Sequence, residues 1–204
     1  MAGAVLAAVV LTVLLPDDLR LGPVWLLPAV EATLLGTIIL GDPGRIDRRS
    51  RTLRVMSIAL VGVLAAGALT ATGELIHQLI VGGSVTRSAK ALLGAGATVW
   101  SANAIAFGLL YWEVDGGGSA ARAHRLREHP DFAFPQQLNP ELAPSGWRPS
   151  FVDYLYLSFT NCTALSPTDT MPLAPWAKLA MTLQSLISLS ILGLVVANAA
   201  NLFK

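Results

Sequence analysis

Long uncharged apolar runs alternate with short polar stretches along this chain. Such runs are what a bilayer core selects, at roughly 20 apolar residues per crossing helix. Helix-breaking glycine and proline residues follow the second and third runs, at residues 41–44 and 82–83. The pattern predicts an all-α integral membrane protein built from hydrophobic helical segments. Five such segments are predicted, at residues 2–15, 24–40, 55–81, 89–112 and 175–203.

The composition also favours a membrane location. Apolar residues make up 53% of the 204 residues and charged residues only 13%, with a mean hydropathy of +0.59. A soluble protein of this size could not cover its surface with so few charges. The first segment lacks the positively charged start and the cleavage site of a signal peptide, so we expect a retained, rather short membrane helix. We therefore expect a multi-pass protein of the cell inner (plasma) membrane, with the lipid bilayer as its partner.

The same residues disfavour several other classes of protein. A net charge of +1 without a basic stripe argues against a nucleic-acid partner. Cys162 is the single cysteine, and no cluster of cysteine and histidine indicates a metal site. His124 and His129 have no spacing that implies a Cys–His pair, so we interpret Cys162 as a packing residue. We predict no cofactor, no metal and no enzymatic activity.

The main polar stretch, residues 113–149, separates the fourth and fifth segments. Three consecutive glycines lie near its start, at residues 116–118, and it contains five prolines. This composition predicts an irregular surface loop and not a second domain. The chain is thereby divided into a four-segment membrane region at residues 1–112, this loop, and a pore-type region at residues 150–204.

A short hairpin is predicted immediately before the last segment. Ser150 and Asp153 form a Ser-x-x-Asp pattern that is typical of a helix start. The mostly apolar residues 151–163 are too few to span a membrane, and residues 164–170 are polar. Irregular backbone survives at membrane depth only where protein buries it or water lines it. A short helix, a polar strand and a full helix together predict a re-entrant hairpin.

This hairpin resembles the pore module of the tetrameric potassium-channel superfamily. That module reads as a pore helix, the filter T-T-V-G-Y-G-D, two residues, a proline and an inner helix. Thr163, Asp169 and Pro172 fall in register with the first threonine, the aspartate and the proline of that pattern, and an aromatic-rich helix precedes them. The resemblance covers residues 150–204 and implies a homotetramer with a pore on its axis.

The filter of this chain departs from the family pattern. Ser166 and Thr168 replace both glycines, and Pro167 stands at the tyrosine position. A ladder of inward carbonyls needs a backbone that glycine tolerates and proline restricts. The resemblance therefore implies a pore of low selectivity for monovalent cations, lined by polar side chains and by a ring of four copies of Asp169. The implied pore residues are Thr163, Ala164, Leu165, Ser166, Pro167, Thr168 and Asp169.

Two motifs are also similar to those of uncharacterised bacterial multi-pass membrane proteins. One is Trp-Glu-Val-Asp-Gly-Gly at residues 112–117, and the other is Ser-Pro-Thr-Asp-Thr-Met-Pro-Leu at residues 166–173. This second resemblance implies no function.

One face of the last segment carries polar residues between apolar ones. Gln184, Ser188 and Asn198 fall on the same side of a helix as Ile191 and Val195. As a pore lining, this face would be wet and would carry two apolar rings able to gate by dewetting. The alternative is helix–helix packing through small and polar residues, which membrane bundles use routinely.

Two glutamates lie within the predicted segments. Glu31 is in the middle of the second segment, and Glu74 lies one helical turn before His77 in the third. An ionisable group in a membrane segment is a functional candidate, so these residues form a possible ion or proton site.

Two functions other than a pore remain open for this chain. One is a non-conducting membrane subunit or scaffold that binds a partner complex, and the other is a proton-coupled transporter that uses the glutamates.

Basic residues are unevenly distributed between the two sides of the predicted segments. Ten Lys and Arg residues lie on the side that holds residues 45–54 and 122–148, and four lie on the other. Short loops rich in these residues face the cytoplasm. This distribution favours a hairpin that enters the membrane from the cytoplasmic side, which inverts the orientation of potassium channels. The two alternatives are an exception to the charge rule and a count of spans that differs by one.

Overall fold

The structure is a computed structural model that describes residues 1–20, 22–41, 51–124, 129–163 and 169–202. Its architecture is all-α, as predicted. The helices are α1 (Ala2–Leu14), α2 (Leu26–Gly41), α3 (Arg51–Val81), α4 (Ala89–Val114), α5 (Ser119–Ala123), α6 (Pro135–Leu138), α7 (Phe151–Thr163) and α8 (Pro175–Leu202). By length and composition, α3, α4 and α8 are able to cross a membrane, whereas α1 and α2 are apolar but shorter. A two-residue strand β1 (Phe132–Ala133) pairs antiparallel with β2 (Met171–Pro172).

Local residues set several of the helix ends. At the start of α7, the backbone N–H and the hydroxyl of Ser150 donate to the Asp153 carboxylate at 2.6 and 2.7 Å, which confirms the predicted cap. The Ser88 hydroxyl caps α4 by accepting from the N–H of Ala91 at 3.2 Å. The chain leaves α3 through Gly82, whose φ of +94° is readily adopted only by glycine.

The long helices form an antiparallel bundle with two distinct ends. The Ser57 hydroxyl at the start of α3 donates to the Glu113 carboxylate at the end of α4, at 2.8 Å. We call this the Glu113 end and the opposite side the Gly82 end. Helix α8 runs antiparallel to α4, because Gln184 contacts Tyr111 near the Glu113 end while Val195 packs on Gly96 nearer the Gly82 end.

Small residues let these helices approach closely. A Cβ atom added to Gly96 would lie 2.9 Å from a methyl of Val195, and one added to Gly108 would lie 3.3 Å from the Cα of Leu155. Bundles that lack a solvent-driven hydrophobic effect rely on such close packing between helices. The two glycines therefore set the spacing of α4 from α8 and from α7.

Two stretches of the predicted surface loop at residues 113–149 are buried, residues 115–118 and 131–134, and the surface prediction is wrong for these. Asp115 and Asp131 are only 1% and 8% exposed, and Phe132 and Phe134 are 0% and 3% exposed. The two phenylalanines pack with Tyr154 and Leu157 of α7 in one hydrophobic cluster. Proline and glycine correctly marked the stretch as irregular, but its aromatic and acidic residues bury it against the bundle.

Candidate functional site

Helix α7 and β2 form the two arms of a half-length hairpin, described at residues 151–163 and 169–172. Phe151 of α7 packs on Trp112 at the Glu113 end, with ring centroids 6.2 Å apart, and Phe159 packs on Trp100 in the middle of α4, at 5.6 Å. The chain then returns to the Glu113 end, where β2 pairs with β1 and the N–H of Leu173 donates to the carbonyl of Asp131 at 2.8 Å. The hairpin therefore enters and leaves the bundle at the same end.

The predicted filter is described only at its two borders. Thr163 is the last residue of α7, and its hydroxyl donates to the carbonyl of Thr160 at 2.8 Å. Asp169 is exposed, and the neighbouring Thr170 is buried. The remaining predicted filter residues lie outside the described residues: Ala164, Leu165, Ser166, Pro167 and Thr168.

A buried polar network surrounds the end of α7, with Gln184 at its centre. The side-chain oxygen of Gln184 accepts from the Tyr111 hydroxyl and from the Asn161 amide, both at 2.7 Å. Its nitrogen donates to the Ser158 hydroxyl at 2.6 Å and to the Cys162 sulfur at 3.0 Å. One side chain thus joins α4, α7 and α8, which fixes the depth at which α7 ends.

Ser188 extends this network by one turn of α8. Its hydroxyl donates to the carbonyl of Cys162 and accepts from the indole N–H of Trp100 at 2.6 Å. Ser158 of α7 completes the link by donating to the carbonyl of Ala104 at 2.6 Å. Cys162 is buried, as the sequence predicted, and acts as a packing residue and a hydrogen-bond acceptor.

The face of α8 that was predicted to line a pore points into the helix bundle of the chain itself. Gln184, Ser188, Ile191 and Val195 are 0%, 2%, 0% and 6% exposed within a single chain. Asn198 lies on the same side and donates to the carbonyl of Leu79 in α3 at 3.3 Å. The prediction of these five residues as a lining between copies is corrected in this structure: they form a packing face, because α4, α7 and α3 supply their partners.

A surface groove of about 400 Å³ lies between the end of α7 and the first half of α8. It is open to the outside of the helix bundle, in contrast to the buried face of α8. The Ser185 hydroxyl, which lines the groove, donates to the side chain of Asn161 at 3.1 Å. The other lining residues are Pro172, Lys178, Met181, Thr182, Leu186 and Leu189.

A second buried network, which we call the clasp, closes the hairpin at the Glu113 end. One carboxylate oxygen of Asp115 accepts from the backbone N–H groups of Asp131 and Phe132 at 2.8 and 3.2 Å, and the other accepts from the Tyr154 hydroxyl. The Asp131 carboxylate accepts from the N–H of Gly116 at 2.9 Å. The clasp ties the end of α4 to α7 and to the residues that pair with the returning strand.

Two arginines complete the clasp. Arg54 of α3 donates to the carbonyl of Gly117. Arg122 donates to the carbonyls of Trp112 and Asp115 at 2.7 and 2.6 Å, and its guanidinium lies 4.4 Å from the centre of the Trp112 ring. Both cations also interact favourably with the Glu113 carboxylate. The two arginines therefore offset part of the cost of burying three carboxyl groups, those of Glu113, Asp115 and Asp131.

The three residues of the possible ion or proton site do not come together. Glu31 of α2 is 1% exposed. Glu74 and His77 lie near the Gly82 end of α3, half-exposed, with the carboxylate and the imidazole 4.0 Å apart. Among the described residues, no hydrogen bond or ion pair joins Glu31 to either of them. Glu74 and His77 therefore form a surface pair, and Glu31 is a separate buried group.

Sequence reasoning missed the clasp and the partners of Gln184. The Trp-Glu-Val-Asp-Gly-Gly motif was noticed, but nothing in it identified Asp131 as the partner of Asp115. Tyr111 is fully buried and donates to Gln184. Gln184 and Ser188 lie four positions apart in an apolar segment, and this spacing indicates a polar helix face. The spacing does not specify which helix that face contacts.

Comparison of the chain with protein-family models, with curated proteins and with solved structures finds no match. A function for the chain must therefore be argued from its own residues and their geometry.

Proposed function

We propose that four copies of this chain form a cation pore of low selectivity in the cell inner membrane, with residues 163–169 at the constriction. The half-length hairpin is the observation that supports this proposal. It places the end of a short helix in the middle of a bundle of apolar helices and returns the chain to the same end. A segment that enters halfway and leaves again is suited to lining a pathway, because its backbone can be sheltered by neighbouring copies.

The exterior of the protomer is compatible with a bilayer and with contacts between copies. Large apolar side chains on α8 are well exposed, including Leu179 at 71% and Val196 at 64%. Val152 and Tyr156 on α7 are also well exposed, at 69% and 64%. So extensive an apolar surface on a soluble monomer would be an aggregation hazard. Lipid or a second copy of the chain covers it in the proposed assembly.

Two features of the hairpin favour cations. The carbonyl end of α7 carries the negative pole of the helix dipole, and it ends inside the bundle at Thr163. Asp169 is exposed on the protomer, so four copies are able to form an acidic ring. The polar face of α8 is buried within the chain, so it does not line a pathway between copies. We therefore assign the groove beside Asn161 and Ser185 to the surface that faces the fourfold axis of the tetramer.

Ion flux in proteoliposomes tests this proposal. Wild-type protein should pass monovalent cations in preference to chloride, and Asp169→Asn should reduce that preference by roughly tenfold, because the ring concentrates cations electrostatically. Glu141→Gln is the matched control, since Glu141 is an exposed carboxylate on the same end of the bundle and outside the hairpin. No flux through the wild-type protein would contradict the pore, and an unchanged preference in Asp169→Asn would remove that residue from the pathway.

A non-conducting membrane subunit is the second candidate, and one observation favours it. The polar groups around the end of α7 satisfy one another within a single protomer, so the hairpin needs no neighbouring copy to be stable there. The mass of the purified protein in detergent separates the two functions. A tetramer agrees with the pore, whereas a monomer has no fourfold axis and would favour the subunit.

A further inference from the structure

Glu31 is an acidic side chain buried on the packed face of α2. It is 1% exposed, and its Oε2 atom has no hydrogen-bond partner among the described residues. Leu27 and Leu35 lie one turn before and after it on the same face. Leu27 packs on Gly67 of α3, and Leu35 is buried in a cluster with Leu60 and other residues of α3 and α1. The carboxyl group therefore lies among apolar side chains.

Among the described residues, the helices that pack on α2 place no charged side chain beside this carboxyl group. Helix α1 has no titratable side chain, and α3 has none at residues 56–73. The charged groups beyond that part of α3 are Arg51 and Arg54 in its first turn and Glu74 beside His77 near the Gly82 end. Arg54 binds Gly117 at the Glu113 end. The α-amino group of Met1 lies before the start of α1. Arg20, after α1, pairs with Asp17 at 2.6 Å.

A buried carboxylate without a partner is costly, and the neutral acid is the form that such a site tolerates. A metal or alkali cation would need several oxygen ligands, and the surroundings of Glu31 are apolar. A proton needs only the carboxyl group itself. The geometry therefore points to a proton as the ligand.

A partly open cavity of about 40 Å³ lies beside Leu27, one turn before Glu31. It is lined by Leu27 and by Gly67, on which Leu27 packs, and it extends to Arg20 at the Gly82 end. The hydroxyl-bearing residues Thr12, Thr70 and Thr98 also line it. A cavity of this size has room for roughly three waters, which can bring protons to the interior.

We propose that Glu31 is a proton-binding site inside the bundle of α1, α2 and α3, separate from the hairpin. The proton-binding site does not depend on the proposed pore, because it lies among other helices and in another part of the interior.

Labelling with the apolar reagent dicyclohexylcarbodiimide tests the site in the full-length protein. The protonated carboxyl group adds across a C=N bond of the reagent: its oxygen bonds to the carbodiimide carbon and its proton passes to nitrogen. Labelling at Glu31, mapped by peptide mass spectrometry, should therefore be present at neutral pH. It should fall by about tenfold for each pH unit above the titration midpoint of the carboxyl group. Absence of label at Glu31, or labelling that does not change with pH, would overturn the proposal.

Two variants complete the experiment. Glu31→Gln should abolish the label at this position, whereas Glu74→Gln, the matched change at the exposed glutamate of α3, should leave it unchanged. Glu31→Gln is an uncharged isostere of the protonated acid, so its melting temperature at neutral pH should equal that of the wild type. A large loss of stability in Glu31→Gln would indicate an ionised carboxylate with a cationic partner and would also overturn the proposal. None of these readouts measures ion flux, so the site and the pore fail or succeed separately.

Discussion

Among the side chains that contact the half-length hairpin, Gln184 is the one whose replacement should most destabilise the packing of the hairpin. We consider Gln184→Met, because methionine has a similar unbranched shape and removes the polar groups without leaving a large cavity. Gln184 is 0% exposed and forms side-chain hydrogen bonds with Tyr111 of α4 and with Asn161, Ser158 and Cys162 of α7. The substitution leaves the Tyr111 hydroxyl and the Asn161 amide without this acceptor.

The expected loss of unfolding free energy in Gln184→Met follows from the hydrogen bonds that the substitution removes. Leaving a buried donor unpaired costs about 1–3 kcal/mol in soluble proteins, whereas hydrogen bonds between membrane helices average about 0.6 kcal/mol and reach about 1.7. The Tyr111 hydroxyl loses its acceptor in the interior, whereas the part-buried Asn161 amide keeps its bond to the carbonyl of Met181. With the lost bonds from the Gln184 nitrogen, the total is about 2–4 kcal/mol. For a chain of this length that corresponds to a fall in melting temperature of roughly 5–15 °C.

Thermal unfolding in detergent micelles, followed by the fluorescence of the five tryptophans, measures this effect. Ser190→Ala is the matched control, since Ser190 is exposed on the same helix and its hydroxyl bonds only within it, to the carbonyl of Leu186. A double-mutant cycle with Tyr111→Phe isolates one bond. Removing the hydroxyl relieves the unpaired donor, so the two changes should be coupled by about 1–2 kcal/mol.

An unfolding temperature of Gln184→Met equal to that of Ser190→Ala would contradict the stabilising role of Gln184. Additive effects of Gln184→Met and Tyr111→Phe would also contradict it, because independent changes mean that the two side chains do not share a hydrogen bond.

The remaining predictions concern the clasp and the packing of α7, alongside the flux and labelling experiments given above. Asp115→Asn should destabilise the protein by about 2–4 kcal/mol and speed amide exchange at Phe132, because a carboxylate that accepts three hydrogen bonds is replaced by an amide that cannot accept them all. Asp17→Asn, which breaks an exposed ion pair, should cost less than about 1 kcal/mol, and equal losses in the two variants would contradict a special role for the clasp. Gly108→Leu should displace α7 and lower the melting temperature, since even a Cβ there lies 3.3 Å from the Cα of Leu155, whereas Gly193→Leu faces open space and should be tolerated. A tolerated Gly108→Leu would show that α7 does not pack closely on α4.

Much of the helical framework was readable from the sequence, because it depends on local properties. Apolar length predicted α3, α4 and α8. The Ser150–Asp153 cap and the short apolar run predicted α7 with the bounds Phe151–Thr163 that the structure has. A cap and its helix are separated by a few residues, so their geometry is set before any tertiary contact forms.

The candidate site was only partly predictable. Helical periodicity correctly placed Gln184, Ser188, Ile191 and Val195 on one face of α8. Periodicity does not say what that face contacts, however, and the structure buries it against the chain's own helices. The partners that decide this lie far away in sequence, such as Tyr111, which is 73 positions from Gln184.

The amino-acid sequence by itself determined that the chain forms apolar helices, where most of them begin and end, and that a short helix precedes the last one. The tertiary structure alone decided that the polar stretch after α4 folds into a buried clasp and that the polar face of α8 turns inward. The physical reason is that a buried polar group must find a partner, and many arrangements of the helices are compatible with the same periodicity. Only the packing that pairs Asp115 with the backbone of Asp131, and Gln184 with Tyr111, satisfies these groups together.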